Sequence, residues 1–159
     1  MKALGFALGL ATLSLANSIA AAPAVEIDFV EPGRYADASP DGQRAQRDAT
    51  LQQLREHMQG LGVKYLKEGD RLKIQVLDVD LAGDLEFGRA NSQPVRVLRD
   101  GGIPRIDVRY TLTRDGAISQ GEDRITDLSY MKDPRRCHER EPLCYEEHML
   151  EVWFARRWR

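Results

Sequence analysis

Residues 71–83, RLKIQVLDVDLAG, constrain what this chain can fold into more than any other segment. Leu72, Ile74 and Val76 alternate with Arg71, Lys73 and Gln75, which is the period of a strand with one buried face. The alternation then slips by one residue. Leu77, Val79 and Leu81 become the apolar set, and Asp78 and Asp80 fall in phase with Val76. Either both faces of the sheet are covered here, or a bulge resets the register and returns the aspartates to the open face.

The remaining segments supply a sheet for this strand. Val25, Ile27 and Phe29 alternate with polar neighbours up to Pro32-Gly33 and predict a first strand. Leu51, Leu54, Met58 and Leu61 recur at helical spacing and predict a helix over 44–60, with Gly60 and Gly62 as its stop. Residues 84–93 read as a loop, and PVRVLRDGG as a short, edge-like strand. Ile106, Val108, Tyr110 and Leu112 share one face of the next strand, opposite Arg105, Asp107, Arg109 and Thr111. Asp115-Gly116 is a hairpin signal leading into a more polar returning strand. A final helix runs through LCYEEHMLEVWFARRW, with Pro142 near its first turn.

The order is β-α-β-β-β-β-α. It predicts an α+β two-layer sandwich: a mixed, mostly antiparallel sheet of four to five strands, with both helices on one face. A crossover through the first helix makes the first two long strands parallel.

Ahead of this domain, Lys2 is followed by a charge-free apolar run and then the small-residue stretch AAAPA. That is the pattern of a cleaved signal peptide, expected over residues 1–24, leaving a single exported domain at 25–159 with no membrane-spanning segment. Loss of Lys2 takes the formal net charge from −2 to −3. So balanced a charge gives no footprint for nucleic acid.

Few residues could carry chemistry. Asp78 and Asp80 could pair with Arg105 and Arg109 on the neighbouring strand, making a charged candidate binding face. With Asp84 or Glu86 as a third carboxylate they could instead hold a metal. Cys137 and Cys144, the only cysteines, are most simply a disulfide in an oxidising compartment. The sharper alternative joins them with His138 and His148 as a tetrahedral zinc set, or makes Cys144 and His148 a nucleophile and its base. His57, beside Glu56, reads as a solvated edge of the first helix. There is no G-x-S-x-G, phosphate loop or H-E-x-x-H.

At the C-terminus, Val152 and Trp153 complete a buried helical stripe, while Arg156, Arg157 and Arg159 suit the negative end of the helix dipole. Trp158 and these arginines could alternatively make peripheral contact with anionic lipid or with a partner.

VEIDFVEPGRYADA, RLKIQVLDVDLAG, VRVLRD…IPRIDVRYTL and EPLCYEEHMLEVWF, in that order, resemble an exported bacterial family known as domain of unknown function 3016. The resemblance implies a signal-bearing envelope protein of Gram-negative bacteria, and it carries over no catalytic residues. The resulting expectation is a periplasmic, non-catalytic binding or accessory module without a cofactor, whose partner is an envelope protein or ligand. The alternatives are a metal-binding protein or metal-dependent hydrolase built on either residue set, and a stress-related structural protein with no ligand.

Overall fold

The computed structural model describes residues 22–87, 94–132, 137 and 142–158. The expected signal lies outside them apart from residues 22–24, and Ala24 already belongs to the first strand. The elements are β1 (Ala24–Phe29), a 3-10 turn at Pro32–Arg34, α1 (Arg44–Tyr65), β2 (Arg71–Asp80), β3 (Asp84–Glu86), β4 (Val95–Val97), β5 (Arg105–Arg114), β6 (Ala117–Thr126) and α2 (Cys144–Trp158).

The main sheet has the order β1-β2-β5-β6. β1 runs parallel to β2, as the helical crossover requires, and the β2–β5 and β5–β6 pairs are antiparallel. Asp115 and Gly116 both take positive φ, 50° and 79°, so β5 turns into β6 through a two-residue loop. That backbone matches the right-handed twist of the paired strands.

Two readings of the sequence need correction. Residues 84–86 form a strand, not part of a loop, and they pair with β4 in a separate two-stranded sheet. The short strand at 95–97 is therefore no edge of the main sheet. Helix α1 also continues to Tyr65, past both glycines. Gly62 is a point of close approach: a Cβ there would lie 2.0 Å from Val25 Cγ2 on β1. Gly62→Ala is expected to destabilise the fold by about 1–2 kcal/mol in urea unfolding, because the clash with a stiff valine exceeds the gain in helix propensity. A stabilised variant would contradict this packing.

Both helices cover one face. Leu51, Leu54, Met58 and Leu61 of α1 and Met149, Leu150, Trp153 and Phe154 of α2 join Ile27, Leu72, Ile74, Val76, Val79, Ile106 and Val108 in one buried cluster. The α+β two-layer architecture follows, and the opposite face of the sheet carries the charged side chains.

Candidate functional site

The phase slip in β2 is a bulge. Val76 pairs with Val108 and Asp78 with Asp107, so Leu77 is the extra residue. Val79 and Leu81 thereby return to the core, at 0 % and 3 % exposed, and Asp78 and Asp80 turn to the open face. There Arg105 Nη2 lies 2.8 Å from Asp78 Oδ2 and 3.5 Å from Asp80 Oδ2, while its Nη1 lies 3.4 Å from Asp107 Oδ2. Arg124 of β6 donates to both Asp107 oxygens, at 2.9 and 3.1 Å. Asp78 Oδ1 also accepts the backbone N–H groups of Ala36 and Val79. Burial holds the Asp80 carboxyl above its usual range against the pull of Arg105, with Asp37 and Asp78 adding to the effect.

Of the four residues assigned to this face, three meet and one does not. Arg109 stands opposite Gln75 and donates to Glu122 of β6 at 2.7 Å, so it takes no part in the aspartate cluster. The alternation placed it on the correct face but could not fix its neighbours. Farther along, Lys73 reaches both Glu26 and Asp28, which raise its pKa, Glu26 foremost.

The carboxylate metal reading loses its geometry here. Asp84 belongs to the other sheet, Glu86 pairs with Arg99, and Arg105 occupies the space between Asp78 and Asp80. Among the described residues no group of three or more His, Cys, Asp and Glu side chains is arranged to hold a metal ion.

Cys137 and Cys144 are joined as a disulfide, with Cα atoms 5.6 Å apart. Both sulfurs are thereby taken from any zinc set and from any Cys144–His148 nucleophile. His138 lies outside the described residues. His57 is not a solvated edge: its Nε2 sits 3.0 Å from the Glu147 carbonyl, tying α1 to α2.

Sequence reasoning missed a second cluster, at the start of α2. Glu146 is 2 % exposed, and its Oε1 accepts the Ala82 N–H at 2.7 Å. Burial raises its pKa, opposed by that N–H and by the nearby Arg96. Arg96 of β4 donates to the carbonyls of Ala82, Gly83 and Ser39 and to Asp37 Oδ2 at 2.6 Å, while its Nε has no acceptor among the described residues. Glu146, Arg96 and Cys137 share a cavity of about 250 Å³ with the apolar Leu81, Leu98 and Leu143. One signal was readable: Glu146 precedes Leu150, Trp153 and Phe154 at helical spacing, a carboxylate in an otherwise apolar stripe.

The C-terminal end also differs from expectation. Trp158 is 7 % exposed and packs edge-on against Tyr110, Trp153 and Phe154, as part of the buried side of the helix. Trp153 and Phe154 are buried, whereas Val152 is only half-buried. Arg157 is held by Asp123, which also accepts the Trp153 indole N–H at 2.8 Å. Among the described residues no helix is long and apolar enough to cross a membrane.

A family model described as a protein of unknown function, DUF3016, matches residues 23–156. The chain belongs to this family. No curated protein and no solved structure matches it. The DUF3016 region takes in all six described strands and α2 up to Arg156, so the ionic face and the Arg96–Glu146 cluster both lie within it.

Proposed function

We propose that this DUF3016 protein is exported through a cleaved signal at residues 1–24 and acts in the periplasm as a non-catalytic binding or accessory module. The observation that carries the reading is the sheet face away from the helices, where charged side chains are paired with one another across three strands. Arg105, Asp78, Asp107 and Arg124 form a connected ionic lattice on three adjacent strands. Among the described residues these carboxylates are engaged by arginines, which suits ion pairing more than proton transfer. A preorganised polar surface of this kind suits docking, because little side-chain freedom remains to be lost on binding. The disulfide supports export, since such bonds persist in oxidising compartments. Among the described residues no observation favours the metal-dependent alternative.

The variant for testing the face is Arg109→Glu, because Arg109 is 53 % exposed and, among the described residues, its ionic partner is Glu122, itself exposed. Arg105, set among three carboxylates, would lose stability as well. Arg109→Glu is expected to cost no more than about 1 kcal/mol, the range of a surface ion pair. It should also abolish capture of a partner from an envelope extract. Unchanged capture would remove this part of the face from the binding surface. The intact mass of the protein exported by its own signal reports the cleavage directly. An uncleaved product would overturn the signal assignment.

A further inference from the structure

We propose that the Cys137–Cys144 disulfide is exchangeable: a dithiol attacks Cys144 Sγ, and Cys137 leaves into the cavity that it shares with Glu146. The two cysteines are placed unequally. Cys144 is the first residue of α2 and only half-buried, whereas Cys137 is 9 % exposed. An incoming thiolate therefore reaches Cys144 more readily than Cys137. The first turn of a helix also favours a sulfur anion, because its unpaired N–H groups point outward there.

Cys137 shares its cavity with a buried carboxyl group. Glu146 lines the same cavity as Cys137, and burial favours its neutral form. The groups acting on it are the Ala82 N–H, its own backbone N–H and Arg96 of β4, which favour the charged form, and Glu147 of its own helix, which opposes it. Arg96 is already committed to Asp37 and three carbonyls, and its ion pair is with Asp37.

The steps balance. The dithiol's thiolate bonds to Cys144 Sγ as the bond between the two cysteines breaks, and Cys137 departs as a thiolate. Glu146 gives that sulfur its proton. The second thiolate of the dithiol then attacks its own first sulfur and releases Cys144 as a thiolate at the start of α2. Two electrons have passed from the dithiol, now a disulfide, to the protein. The reaction is stoichiometric, and it goes beyond the docking role without depending on it.

The experiment uses the oxidised, exported protein with dithiothreitol, quenched by alkylation and read by mass. The folded protein is expected to react at least as fast as the same protein in urea. A folded rate tenfold or more below the unfolded one would mark a purely structural bond and overturn the proposal. Glutathione, a monothiol, should leave its adduct on Cys144, and an adduct on Cys137 would reverse the assignment. Glu146→Gln keeps an acceptor for Ala82 but has no proton to give. It should slow folded exchange about tenfold and flatten its pH profile at unchanged melting temperature. A wild-type rate and profile in that variant would remove Glu146 from the step. If it does not fold, the folded-against-urea comparison on the unaltered protein still decides the main claim.

Discussion

Phe154→Ala is expected to remove about 3–5 kcal/mol of stability, the range for deleting a fully buried aromatic ring. Natural domains of this size have about 5–15 kcal/mol in all, so the variant should unfold at much lower urea. Phe154 is 0 % exposed, and its ring touches Trp153, Trp158 and Tyr65 at centroid distances of 5.1, 4.8 and 6.4 Å. Alanine would leave a void at the junction of both helices with the sheet, where the two tryptophans have nothing else to fill it. Their fluorescence makes the measurement direct. The unfolding midpoint should fall, and the native emission of Trp153 and Trp158 should shift to the red as water reaches them. A loss below about 1 kcal/mol would mean that the ring is not the centre of the core.

The second large effect concerns Asp70 and Arg114. Asp70 is 2 % exposed, just before β2, and it accepts Arg114 Nη2 at 2.6 Å, Arg114 Nε at 2.9 Å and the Lys67 N–H at 2.8 Å. The guanidinium first, then the backbone N–H, hold the carboxyl below the usual range against the opposing effect of burial. Arg114→Ala leaves that carboxylate unpaired. The expected cost is roughly 3 kcal/mol near neutral pH, at the low end for a broken buried pair because Arg114 itself is 30 % exposed. The sign with pH follows from the lowered folded pKa. The pair's contribution is present in full above the unfolded carboxyl pKa, about 3.9, and is lost as pH falls through the folded value. Denaturation curves at pH 7 and pH 3 should therefore show a wide gap between the two proteins, then a narrower one. A gap of equal size at both would place the effect in packing, with the charge pair uninvolved.

Much of the architecture was legible because long strands and helices repeat their pattern. Ile106 to Leu112 gave the inward face of β5, Asp115-Gly116 gave its turn, and the slip after Val76 gave a bulge as one of two outcomes. What failed did so for local reasons. Strands β3 and β4 have three residues each, too few for a period to show. Gly62 looked like a helix stop because its use, closeness to Val25, depends on an element 37 residues earlier. Trp158 sat among arginines and so resembled a surface anchor, yet it lies four residues beyond Phe154 on the buried side of α2. The alternation assigned Arg109 to its face. Only the cross-strand register could show that its partner is Glu122.

The bulge at Leu77 makes this strand sensitive to the loss of a single codon. Remove that single codon and the strand reads Leu72, Ile74, Val76, Val79, Leu81 in unbroken alternation, a more regular sequence than the one present. The strand's outer edge, however, is read twice. Ala24–Phe29 pairs with it before the bulge, and beyond the bulge Asp37 takes over, donating its N–H to Val79 O and accepting the Leu81 N–H. Between these two stations Tyr35 bonds Val76 O and Ala36 bonds Asp78. A one-residue deletion would leave these stations in place but shorten the distance they are spaced to span. The strand would gain regularity as it lost its seat.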